Sequence, residues 1–215
     1  MNRQYPLSAD EKQKREEERA EAERAQKLSN NRMGVLVFQV SWIMAFVALL
    51  VSYWQLGFSP GWRPSADLAP NPILPTLGTL VILASGWFAR RGVQIVSETD
   101  PMPQADDTPP FRQTWLFAIV TGIAFTLVMV QQYFVIPFGD APEVRFGMIY
   151  RLMIGYHAIH AIVTLVMMWQ VYRLSADHRY NSENVWAVEG SAKLWYFVIV
   201  AWLMFYVVLY LPFLL

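Results

Sequence analysis

LMIGYHAIHAIVTLVMMWQVY, residues Leu152 to Tyr172, is a run of 21 residues without an Asp, Glu, Lys or Arg. A helix needs about 20 consecutive apolar residues to cross the hydrocarbon core of a bilayer, so this length and emptiness of charge read as a membrane span. Four more uncharged runs share the pattern: Gly34 to Leu56, Ile73 to Ala89, Gln113 to Phe138 and Leu194 to Leu215. Pro70, Pro72 and Pro75 crowd the start of the second. Proline in a first helical turn costs little, because its missing N–H would have no partner there, and the run is kept as a span. The expectation is an all-α membrane protein with five transmembrane helices.

Composition agrees. Of 215 residues 55% are hydrophobic and 16% charged, against about 25% charged in a soluble domain. Aromatic residues make up 15%, suited to anchoring at two membrane-water interfaces. No cysteine is present, which removes disulfides, thiolate metal sites, iron-sulfur clusters and cysteine nucleophiles. A formal net charge of zero excludes nucleic-acid binding through a basic surface.

The charges are unevenly placed. Residues 1–32 hold eight Lys/Arg and seven Asp/Glu, a charged tail distinct from the five-helix domain of residues 33–215. Ser8 with Glu11 resembles a capping box, and Glu11 to Arg15 and Glu23 to Lys27 are acid-before-base pairs four residues apart, so the tail reads as a short solvated helix. The alternative for it is a cytoplasmic contact with another subunit. With five spans, 14 of the 17 Lys and Arg fall on one side, in the tail and the loops Arg90 to Arg112 and Arg173 to Lys193. Arg63, Arg145 and Arg151 fall on the other. Positive charge stays inside, which places the N-terminus in the cytoplasm and the C-terminus outside.

No span carries an Asp or Glu. Ion pumps and coupled transporters depend on such intramembrane groups, so the chain is not expected to move ions by itself. His157 and His160 share one face of the fourth span, three residues apart. Neutral imidazole binds haem, zinc or copper, but a zinc site draws on three or four protein ligands. The third histidine, His178, stands in a polar loop, so a packing role between helices or toward lipid is expected. Glu189 precedes the fifth span and reads as an interfacial or inter-subunit contact, with a proton path as the alternative. Scattered polar residues such as Ser41, Ser85, Thr79 and Gln132 suit bonds across helices, and Gly86, Gly122 and Gly155 suit close helix approach. No phosphate-binding glycine loop, Ser-His-Asp set or zinc-protease motif is present. Taken residue by residue, this is a helical membrane protein without chemistry of its own, a subunit of something larger.

Four segments in order resemble one family. Gly34 to Phe46 with Ser41, followed by Trp62-Arg63-Pro64, is similar to an opening G-x-x-x-F-x-x-S-E-x-x-x-F and a W-x-P loop. Leu74-Pro75-Thr76-Leu77 with Ser85 resembles L-P-x-L-N-T and its later serine. Gly155-Tyr156-His157-Ala158-Ile159-His160 resembles G-F-H-G-L-H, and Glu189 to Trp202, with Trp195, resembles E-A-x-x-x-Y-W-H-F-V-D-x-V-W. These are motifs of subunit III of haem-copper oxidases, in its short five-helix bacterial form.

The resemblance implies a non-catalytic subunit of a respiratory terminal oxidase in a prokaryotic cytoplasmic membrane. It would pack on subunit I beside other oxidase subunits and bind phospholipid, with haem and copper in the partners, and would assist reduction of oxygen to water coupled to proton translocation. His157, His160, Glu189, Trp195 and Ser41 are the family-matched contact residues. Trp42, Tyr196 and Ile199 stand where the family has Glu, His and Asp, so a proton-relay role of those positions is lost. The longer family forms have two more helices, which implies a lipid-filled cleft or a partner helix pair beside the second span. An accessory subunit of a nitric oxide reductase or quinol oxidase, and a free-standing membrane transporter, are the alternative readings.

Overall fold

The computed structural model describes residues 9–58, 70–99, 108–135, 144–177 and 180–213. Ser8, the Trp62-Arg63-Pro64 loop, His178 and Arg179 lie outside them. Five helices are long and apolar enough to cross a membrane, and there is no strand among the described residues. They are α1 (Ala9–Leu56), α2 (Ile73–Glu98), α3 (Thr108–Tyr133), α4 (Val144–Leu174) and α5 (Trp186–Leu209).

Helix ends differ from the charge-free runs for identifiable reasons. The tail is no separate short helix; it joins the first span in one helix of 48 residues, roughly 70 Å long at about 1.5 Å per residue. Residues 9–33 contain no Gly or Pro and are rich in Ala, Glu, Lys and Arg, all strong helix formers, so nothing interrupts the ladder. On the third span the helix starts five residues early, with Pro109 and Pro110 in its first turn, where proline is tolerated. The fourth starts at Val144, which brings Arg151 inside the helix, and its side chain is buried. The fifth runs from Trp186 and stops at Leu209. Pro212 cannot donate to the ladder, and the chain tightens there into a short 3-10 turn, Leu211–Phe213.

Helices α2, α3, α4 and α5 pack in a closed ring, each touching the next and α5 returning to α2. Its centre is filled by Trp115, Trp195, Trp202, Phe125, Phe205 and Met153, all fully buried. Helix α1 stands outside the ring, resting on α5 and slightly on α4; among the described residues none of its Cα atoms comes within 8 Å of one in α2. In its most apolar stretch only 6% of α1 is buried, against 56% of α5, so α5 is the hub and α1 the outlier.

In lipid no hydrophobic force draws helices together, because the tails are as apolar as leucine; close packing and hydrogen bonds must do it. The expected glycines supply the packing. A Cβ at Gly86 would lie 2.6 Å from Ile199, and one at Gly122 2.8 Å from both Leu165 and the Trp195 ring. One at Gly155 would lie 3.1 Å from Tyr133. The Trp195 ring cannot yield easily, since it is fully buried and its indole N–H is tied to Ser85.

Gly122→Ala should therefore lower the melting temperature of the purified protein by several degrees, as overpacking costs about 1–3 kcal/mol. Gly34→Ala, where an added Cβ meets nothing within 4 Å, should leave it unchanged. Equal thermal stability of the two variants would refute the packing argument.

Candidate functional site

Helix α4 presents His157 and His160 toward α1 and α5 because three residues make most of a turn. Phe46 of α1 is the common neighbour, its ring centroid 5.8 Å from His157, 5.2 Å from His160 and 5.1 Å from Phe197. Trp42, one turn earlier on α1, meets His160 edge-on with centroids 4.2 Å apart. Helix α1 therefore presents an indole to the histidine at this position.

The two histidines differ. His160 Nδ1 lies 2.7 Å from the Tyr156 carbonyl, so Nδ1 carries the proton and donates, leaving Nε2 as the acceptor. His157 is fully buried, and neither ring nitrogen has a hydrogen-bond partner among the described residues. Its interhelical contact is made through rings instead: Phe46 of α1, Phe125 of α3, and Trp202 and Phe205 of α5 surround it with centroids within 6.0 Å. The hydrogen bond of His160 runs back along its own helix, so among the described residues neither histidine ring makes a hydrogen bond between helices. Two imidazoles three residues apart on one helix do not complete a ligand set, and among the described residues no group of three or more His, Cys, Asp or Glu is placed to hold a metal ion.

The other sequence-picked residues are spread over the seams. Trp195 lies within the ring, where Nε1 donates to Ser85 Oγ at 2.9 Å and Ser85 donates to the Ala118 carbonyl at 2.6 Å. One relay therefore ties α5 to α2 to α3. Ile199 fills the space over Gly86 of α2, and Tyr196 is half-buried on the neighbouring face of α5. Ser41 is exposed and donates back to the Val37 carbonyl of its own helix at 3.1 Å.

Glu189 lies in the first turn of α5 and takes both nitrogens of Arg32, Nε and Nη2, in a forked ion pair with a closest approach of 2.9 Å. Arg32 is the last base before the first span, and only that position hinted at the pairing. At the opposite end of the same seam, Tyr53 donates to the Val208 carbonyl at 3.0 Å. Helix α1 is thus pinned to α5 at both ends, with the aromatic and histidine cluster between. A second network went unread in the sequence: the hydroxyls of Tyr150 of α4 and Tyr210 are hydrogen-bonded to each other at 2.6 Å, and Gln132 Oε1 of α3 lies 3.1 and 3.3 Å from them, so one tyrosine donates to the other and the remaining hydroxyl proton goes to Gln132.

Among the described residues the arrangement has polar locks and packing, with no group of three or more His, Cys, Asp or Glu placed to hold a metal ion. It defines a five-helix membrane protein. Among known proteins, the family model for cytochrome c oxidase subunit III matches residues 18–212. The chain is 25% identical over 186 residues to cytochrome c oxidase subunit 3 of Anopheles gambiae, covering 83% of this chain and 68% of that protein. Cytochrome c oxidase subunit 3 of Drosophila melanogaster is 24% identical and that of Heterololigo bleekeri 26%, over the same length. The chain belongs to the cytochrome c oxidase subunit III family, non-catalytic membrane subunits of respiratory terminal oxidases.

Replacing a buried polar group that lacks partners by an apolar one of similar size is close to neutral. His157→Leu should accordingly keep the melting temperature within about 2 °C of the parent; a large drop would show that the ring holds a hydrogen bond. Arg32→Gln should speed amide hydrogen exchange in the adjoining turns of α1 with a stability loss below about 1 kcal/mol, since the pair is partly exposed. The swapped pair, Arg32→Glu with Glu189→Arg, should restore protection, and slow exchange in the single variant would count against the clamp.

Proposed function

We propose that the chain is the five-helix subunit III of a prokaryotic terminal oxidase of cytochrome c type. It packs on subunit I in the cytoplasmic membrane and supports an enzyme whose haems and copper reside in its partners. The observation that carries this reading is the open side of the bundle. Among the described residues no pair of Cα atoms from α1 and α2 comes within 8 Å. Between the α5 face that meets α2 and the one that meets α1 runs an uncovered strip with Tyr196, Val200 and Val207. Leu77, Leu80 and Trp87 of α2 are likewise more than half exposed. A membrane-embedded trough of this kind suits phospholipid or a helix pair from a neighbouring subunit.

The orientation rests on the Lys/Arg asymmetry, which puts the charged half of α1 in the cytoplasm, and the prokaryotic setting rests on the resemblance to the short five-helix form of the family. His157, His160, Trp195, Glu189 and Ser41 act in this reading as packing and contact residues. With Trp42 and Ile199 apolar and Tyr196 in place of the histidine, the subunit contributes stability and lipid or subunit contact, not proton relay.

Purification of the tagged chain from its native membrane in mild detergent should bring down a haem-containing complex that consumes oxygen with reduced cytochrome c. Activity with quinol alone, or with nitric oxide, would move the subunit to a different oxidase or reductase. A chain that purifies alone and without haem from membranes rich in oxidase would overturn the reading.

A further inference from the structure

A groove of about 610 Å3 follows α1 where its charged half leaves the bundle, with Lys193 as its one lining residue from α5. Ala25, Leu28, Arg32, Leu36 and Gln39 line it at steps of three and four residues, so they make one stripe along the helix, and Lys193 closes it from α5. The stripe is roughly 20 Å long at about 1.5 Å per residue.

Two features identify an occupant. The apolar lining continues past the charges: Leu28 and Ala25 stand one and two turns beyond Arg32 on the charged side of α1, and Leu28 is partly buried while residues 21–27 before it are exposed. Because a charged segment belongs outside the hydrocarbon, acyl chains are poorly placed to reach these two residues, and a helix of another chain fits them better. The charge at the rim is also unbalanced. Arg32 is neutralised by Glu189, but Lys193 has no ion-pair partner among the described residues and leaves the groove one positive charge in excess.

We propose that this groove docks an amphipathic helix of a partner subunit, apolar on the face that enters between α1 and α5 and carrying a carboxylate that reaches Lys193. The proposal rests on the chain working inside a multi-subunit oxidase, and it assigns the charged half of α1 a role as one wall of that contact. A helix entering here would lie along α1, with its apolar residues against Leu28 and Leu36, the helix-in-groove mode of recognition.

The test uses the intact purified complex with a photoreactive benzophenone amino acid in place of Leu28 and, in a second preparation, in place of Ala25. The haem spectrum is read first, because its absence would fail the assembly reading itself. With haem present, irradiation should give an adduct to a single oxidase subunit, mapped by mass spectrometry to a segment bearing Asp or Glu. Lys193→Glu should reduce the adduct yield several-fold, and an acid-to-lysine change in the mapped segment should restore it. Adducts to phospholipid only, no protein adduct at either position in a haem-containing complex, or a yield indifferent to Lys193→Glu would each overturn the proposal.

Discussion

An indole N–H buried among apolar helices must find an acceptor, and the hydrogen bond from Trp195 to Ser85 is the point from which the rest of the bundle follows. It draws α5 onto α2, and Ser85 passes the constraint to the Ala118 carbonyl of α3. Trp202 repeats the device on Thr79 of α2, and Trp115 of α3 bonds the Met168 carbonyl of α4, each at 2.9 Å. Such bonds between membrane helices contribute about 1–2 kcal/mol in model peptides and less in whole proteins. Several are therefore needed, and two of the three indoles sit against a glycine, Trp195 against Gly122 and Trp115 against Gly92. Gly122 leaves room for the Trp195 ring, and Gly86 for Ile199.

Helix α1 is governed by a different balance. It touches the ring mainly along α5, so its attachment relies on the Arg32 to Glu189 ion pair at one end, Tyr53 at the other and the Phe46 cluster between. An ion pair this exposed holds orientation more than it adds stability. The result is a compact four-helix ring with one loosely fastened neighbour and an open trough beside it. That asymmetry suits a subunit whose remaining surfaces are completed by others, in agreement with its family.

Much of this was legible in the chain itself. The five spans follow from runs without charge, because a bilayer tolerates ionisable groups so poorly that their absence is a signal. Helix ends were less legible. Water beyond the interface imposes no such penalty, so α2 continues through Arg90 and Arg91, and α4 begins seven residues before Arg151. The site was legible in part. His157 and His160 were visible as a pair on one face, but a fourfold aromatic cage around His157 comes from three other helices, and no local pattern encodes it. The Arg32 to Glu189 clamp joins residues 157 positions apart, and each alone looks like an ordinary interfacial charge.

By itself, then, the sequence determined that this is a five-helix membrane protein, that its Lys and Arg fall unevenly along the chain, and that it has no cysteine. These are properties of composition along a line, enforced by the cost of placing charge in hydrocarbon. Only the tertiary structure decided that α1 stands apart from a closed ring, that Trp195 works through Ser85 while Trp42 covers His160, and that a charged tail becomes one wall of a groove. Those outcomes depend on which helix faces meet, and in lipid that choice is made by interlocking shapes and paired polar groups between helices, since hydrophobicity does not distinguish one apolar face from another.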